Sequence, residues 1–89
     1  MIAIYIKPDA MTREQHEEGR RRLREAGVDE SAMRLHSCFG DDGQLEVFDI
    51  WESQEAWDEF LKHLVPILQD IGISMSMPPA IAPIVDLVQ

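Results

Sequence analysis

Cysteine is almost missing from this chain. Cys38 stands alone, which excludes an internal disulfide and any zinc site built on paired thiolates. Basic residues are few, eight Lys and Arg against seventeen Asp and Glu, for a formal charge of −9. So acidic a surface repels phosphate backbones and anionic headgroups, and neither nucleic acid nor a membrane is an expected partner. No apolar run approaches the roughly 20 residues of a membrane helix. The opening MIAIYIKPDA has no charged start, long apolar segment and small-residue cleavage site, so it reads as a strand and not as a secretion signal. The expected location is the cytoplasm. Phosphate loop, nucleophile elbow, metal-binding His motif and dinucleotide fingerprint are all lacking, and no metal is expected.

What remains is an ordinary globular composition, 45% hydrophobic and 28% charged over 89 residues. That length predicts one domain, residues 1–89, with a thin core. Ile2, Ile4 and Ile6 alternate with Ala3 and Tyr5 at the period of a strand, and Pro8 ends it. Thr12 and Gln15 have the spacing of a capping box, and Gly27 closes the helix that follows. Its charged side predicts Glu17–Arg21 and Glu18–Arg22 pairs. Its inner stripe, His16, Gly19, Leu23 and Ala26, is thin, so the helix either lies close on its support or leaves space beneath.

Two alternating runs then flank Asp41-Asp42-Gly43-Gln44, residue types of a two-residue turn with positive φ. Pairing about Asp42-Gly43 sets His36 opposite Asp49. It puts Arg34, His36, Cys38, Val47, Asp49 and Trp51 on one face, with Leu35, Phe39, Phe48 and Ile50 on the other. Ser53 caps a second helix whose apolar face includes Trp57, Phe60, Leu64 and Leu68; Pro66 predicts a kink or an early end near Val65. Ile81 to Val88 reads as a last strand, with Pro83 marking a sheet edge. The order strand, helix, strand, strand, helix, strand is the split βαβ pattern of the ferredoxin-like α+β fold. Both helices then cover one face of a four-stranded antiparallel sheet. The helices are assigned to the His36 face. The bare apolar face, with Leu35, Phe39, Phe48 and Ile50, is assigned to a homodimer.

A histidine facing a carboxylate across a hairpin can act as a base and its orienter, so His36 and Asp49 are the candidate catalytic pair. Cys38 shares their face, where a lone thiol on a strand also serves as a small hydrophobe. Tyr5 reaches the same cavity if its face of the first strand is the helix side; otherwise it is an interface phenol. His16 either lines a cavity under the first helix or reaches solvent at the helix edge.

The segment HSCFGDDGQLEVFDIWESQEAWDEF, followed by a proline in the second helix and a proline-rich approach to the last strand, resembles the dimeric α/β-barrel superfamily around the antibiotic biosynthesis monooxygenases. The resemblance is to its small actinobacterial members and spans nearly the whole chain. It implies a dimeric α/β barrel, no cofactor, and Trp51 as a wall of a pocket between sheet and helices. The heme-degrading branch has a helix-two histidine near the position of His63, but the first strand here lacks that branch's Asn, so His63 is left out of the site. The expected function is a cofactor-independent monooxygenase or related isomerase acting on a flat, hydrophobic, aromatic or polyketide-like molecule. Trp51, Tyr5, His16, Cys38 and Phe60 are its expected substrate contacts. The alternative is a non-catalytic small-molecule-binding or stress-related dimer.

Overall fold

The computed structural model describes residues 1–89. Its elements run β1 (Ile2–Ile6), α1 (Arg13–Glu25), β2 (Met33–Phe39), β3 (Glu46–Trp51), α2 (Gln54–Ile71) and β4 (Ala80–Pro83). The strands form one antiparallel sheet in the order β2-β3-β1-β4, the ferredoxin-like α+β arrangement that the element order predicts. No helix is long and apolar enough to cross a membrane.

Strand alternation decides what the helices cover. Ile4 pairs with Asp49 and Ile6 with Val47 on one side of β3, while His36 pairs with Asp49 on the other. Ile4, Ile6, Val47 and Trp51 therefore share a face, and they pack with Leu23 of α1 and with Trp57 and Phe60 of α2 in the main core. The helices lie on the His36 face. One residue departs from strict alternation: the register slips between Met33 and Leu35, so Met33, and not Arg34, pairs beside Trp51. Arg34 is the extra residue of a bulge; it is exposed and bonds Glu52.

Each helix starts where its cap dictates. The Thr12 hydroxyl accepts from the Gln15 N–H (3.1 Å) and Gln15 Oε1 accepts from the Thr12 N–H (3.0 Å), the reciprocal capping box. Ser53 Oγ accepts from the Ala56 N–H (3.1 Å) at the head of α2. The early end near Val65 does not occur, and α2 runs on to Ile71 with Pro66 inside it. Pro66 and Lys62 both face solvent, so the carbonyl that loses its donor is open to water. Gly72, with φ +90°, ends the helix in the left-handed region.

Two other expectations are corrected. β4 stops at Pro83 instead of reaching Val88, because Pro83 already pairs with Ile2 and β1 extends no further. Ile84 makes one last bond to the Met1 carbonyl (3.1 Å). On α1 the Glu18–Arg22 pair forms, but Arg21 joins Glu18 and Glu25 instead of Glu17, and Arg22 also reaches Asp70 of α2. Exposed pairs of this kind contribute little each.

The thin stripe of α1 leaves space. Gly19 is buried, yet a methyl group placed on it would meet nothing nearer than Ile71 Cδ1 at 3.8 Å. Gly19→Ala should therefore stabilise the protein by about 0.5–1 kcal/mol, the helix-interior gain of Ala over Gly. Urea denaturation checks this; a lowered midpoint would mean that the space under α1 is smaller than it looks.

Candidate functional site

The hairpin tip is fastened to the start of α1, and this sets where α1 lies over β2 and β3. The Gln44 N–H donates to the Asp41 carbonyl (2.8 Å), closing the turn, while the Leu45 N–H leaves the ladder for the Met11 carbonyl (3.2 Å). Asp42 Oδ1 accepts from the Arg13 N–H (2.7 Å), in the first turn of α1. Of the two central turn residues only Gly43 has a positive φ, +87°, so the turn is not the doubly left-handed type that its residues favour. The register is still the expected one, with His36 opposite Asp49.

Asp49 is the only buried charged residue, 3% exposed. Its Oδ1 lies 2.7 Å from His36 Nδ1, and its Oδ2 accepts from the Trp51 indole N–H at 3.3 Å. On the far side of the imidazole, His36 Nε2 is 3.0 Å from His16 Nε2 of α1. The two ring planes are within 4° and their centres are 5.2 Å apart. That separation is the nitrogen–nitrogen gap plus both ring radii, so the imidazoles meet edge to edge and do not stack face to face. A continuous chain results: Trp51, Asp49, His36, His16.

Burial pushes the His16 imidazole below its ordinary value; the charges of His36 and Arg20 push the same way, while Glu17 and Asp49 oppose them. Burial, with help from Asp49, raises the Cys38 thiol, which makes it a poor nucleophile at neutral pH.

His16, His36 and Asp49 line a cavity of about 70 Å³ between sheet and helices. Its polarity is one-sided. Gln15, His16 and Arg20 come from α1, whereas α2 presents Phe60, Leu64 and Leu68. Beyond Leu68, Ile73 and Met75 the cavity adjoins an outer groove of about 340 Å³. A clasp ties the neighbouring loops together: Asp9 accepts from the Ser74 hydroxyl (3.0 Å) and the Ser76 N–H (2.9 Å). These bonds hold the Asp9 carboxyl below the usual carboxylate range.

The residues singled out from sequence fall into three groups. His36, Asp49, His16 and Phe60 come together on the cavity wall. Trp51 and Cys38 share the correct face but stand behind that wall. Trp51 is 1% exposed, packs on Phe60 (ring centres 4.7 Å apart) and borders a separate hollow of about 140 Å³ with exposed His63; Cys38 packs against the core. Tyr5 lies on the opposite face, beside Phe48, where its hydroxyl donates to Glu46. It is not a cavity donor, because Ile4 and Ile6 take the helix side. Sequence reasoning missed Gln15 and Arg20. Arg20 follows His16 by one helical turn, a spacing that was the available signal, but its place in an Arg run marked it as solvated.

No family model and no curated protein matches the chain. Solved structures do. A candidate antibiotic biosynthesis monooxygenase from Deinococcus radiodurans is similar at a TM-score of 0.65 and 12% identity, over 100% of this chain and 97% of that one. A second, from Chloroflexus aurantiacus, gives 0.60 and 15% over 100% and 98%. Rv0793 from Mycobacterium tuberculosis gives 0.53 and 21% over 99% and 96%. At these identities the likeness establishes the fold.

The depressed His16 value has a signed consequence for stability. The unfolded chain binds the His16 proton near the ordinary 6.5, the folded protein only at lower pH, so this contribution is complete above about 6.5 and is lost as pH falls toward the folded value. His16→Gln should flatten that part of the acid decline. Urea midpoints measured across this range would refute it if wild type and variant lost stability in parallel.

Proposed function

We propose that this chain is a cofactor-independent monooxygenase or related isomerase that removes a proton from a flat, hydrophobic, aromatic or polyketide-like substrate. One observation carries the reading: a buried carboxylate, Asp49, orients His36 on the wall of a mainly apolar cavity. A histidine so held can receive a proton drawn from an activated CH2 group in the cavity, and the imidazolium that forms is stabilised by the carboxylate behind it. The carbanion then reacts with oxygen; one oxygen atom becomes the carbonyl of the product and the other leaves as water with both hydrogens, so no external reductant is consumed. Returning the proton to a different carbon would instead be isomerisation. The names of two structural neighbours, from Deinococcus radiodurans and Chloroflexus aurantiacus, support the oxygenase arm.

The one-sided lining orients the substrate. Its acidic edge meets α1 and β2, its hydrocarbon meets Phe60, Leu64 and Leu68, and rings beyond the first extend past Met75 into the outer groove. Phe60 is a direct contact; Trp51 acts by holding Asp49. The chain works as one domain, in the cytoplasm.

The second part of the proposal is a homodimer through the bare sheet face. Leu35 and Phe39 are 38% and 43% exposed there, and Phe48 lies between them and Tyr5. Ile50 is already covered, 3% exposed, so it adds nothing new to an interface. Each large apolar side chain fully withdrawn from water supplies about 1.5–3 kcal/mol before association entropy is subtracted.

Two measurements test these readings. Anthrone, a tricyclic ketone with an acidic CH2, should be converted to anthraquinone with matching oxygen uptake, and Asp49→Asn should slow turnover by about 10²-fold or more. Binding of anthrone without turnover by the wild type would favour the alternative, a non-catalytic binding dimer. In size-exclusion chromatography with light scattering the wild type should elute at twice 10.2 kDa, and Phe39→Glu as a monomer. A monomeric wild type at micromolar concentration would remove the dimer from the proposal.

A further inference from the structure

Both ring nitrogens of His36 are already engaged, Nδ1 with Asp49 at 2.7 Å and Nε2 with His16 at 3.0 Å. A substrate therefore finds no free lone pair on this histidine. His16 differs: its Nε2 is engaged, but its Nδ1 makes no hydrogen bond and is not sealed off, since no buried side-chain nitrogen lacks a partner. With His36 neutral, donor and acceptor inventory then fixes the tautomers. The indole N–H can only donate, so a carboxylate at Asp49 accepts on one oxygen from Trp51 and on the other from His36 Nδ1–H. A neutral His36 with its proton on Nδ1 has a bare Nε2, so the proton between the rings belongs to His16 Nε2, and a neutral His16 has its lone pair on Nδ1. Two protons cannot occupy a 3.0 Å gap that meets edge to edge.

We infer that His16 is the group that meets the substrate, through Nδ1, and that His36 and Asp49 stand behind it as a relay that carries the positive charge inward. This rests on the proton-abstraction reading above and names the residue that performs it. In the step, the substrate C–H bond breaks and an N–H bond forms at His16 Nδ1. The Nε2–H bond of His16 breaks as its proton passes to His36 Nε2. The pair of electrons from the C–H bond stays on the substrate as a carbanion; His16 is neutral again in the other tautomer, and His36 is an imidazolium held by Asp49.

Several groups bear on the pair. From α1 these are Gln15, Glu17 and Arg20; from the sheet, Asp49 and Cys38; α2 contributes only apolar side chains to the cavity wall. Arg20 is also bound to Glu30 through both terminal nitrogens. Burial first, and then the charge of Arg20 among others, disfavours a cationic His16, which favours a free acceptor nitrogen. The relay then moves the charge to the one ring that a carboxylate touches. Arg20 also lines the cavity, where it can meet the negative charge that spreads over the substrate once the proton has left.

The test has a spectroscopic arm and a kinetic arm. Two-bond nitrogen–proton correlation spectra of uniformly ¹⁵N-labelled wild type at neutral pH should show His36 protonated at Nδ1 and His16 at Nε2. A His16 protonated at Nδ1 would overturn the inference without involving any substrate. The kinetic arm follows exchange of the anthrone CH2 hydrogens with deuterated water under nitrogen, which reads proton removal apart from oxygen chemistry. His16→Gln and His36→Gln should each slow exchange by about 10²-fold or more, and the double variant should lose little beyond either, as residues acting as one unit do. Wild-type exchange in His16→Gln, with loss only in His36→Gln, would overturn the relay while leaving proton abstraction intact. Absence of exchange in the wild type, with the expected tautomers present, would overturn the abstraction reading and the relay's catalytic role together.

Discussion

A single buried carboxylate constrains this molecule more than any other group. Asp49 sits on β3 with neighbouring strands on both sides, where a bare carboxylate would be penalised by several kcal/mol of lost hydration. Only a fixed set of donors offsets that penalty. His36 and Trp51 supply them, and in doing so each is held in one orientation. The indole, turned toward Asp49, presents its flanks to Phe60 and Trp57, which seats α2. The imidazole, turned the other way, points its second nitrogen at α1. One charge thus coordinates two strands and two helices, and the cavity is the space left between them.

That space exists because α1 is a poor packer. Its inner side offers Gly19 and Leu23 as fully buried residues, with His16 half-buried between polar neighbours. A helix built for stability would place branched side chains there and close the hollow. Here a small residue and an imidazole keep it open, at the expense of helix propensity. The opposite wall shows no such economy: Trp57 and Phe60 are nearly sealed and mutually packed. The cavity thus has one closely packed wall and one loosely filled wall.

How much of this was legible in the sequence depends on the range of the contact that decides it. The His36/Asp49 pairing was readable, because a two-residue period and a Gly-containing turn fix a hairpin register locally. The Arg34 bulge was not, since nothing in Met33-Arg34-Leu35 marks an extra residue. Tyr5 could not be assigned a face with the hairpin alone, as β1 meets β3 across more than forty residues of chain and a shift of one would invert it. The alternating isoleucines held the answer, being the more apolar of the two sets. Trp51 was placed on the correct face but not at the correct depth, because period two gives direction and says nothing of what stands in front. For His16 the helical stripe allowed a cavity or a solvent position; only the docking of α1, through Asp42 and Arg13, chose between them.

The position of β1 has a consequence for biosynthesis. It precedes the other three strands in the chain, yet it lies inside the sheet, and its two partners begin at Glu46 and Ala80. The hairpin can zip as soon as it emerges, but β1 has no strand on its outer edge until Ala80–Pro83 has been made. Until then the outer row of backbone N–H and C=O groups of β1 has no ladder partner. The sheet closes late, and β4 is the strand that completes it.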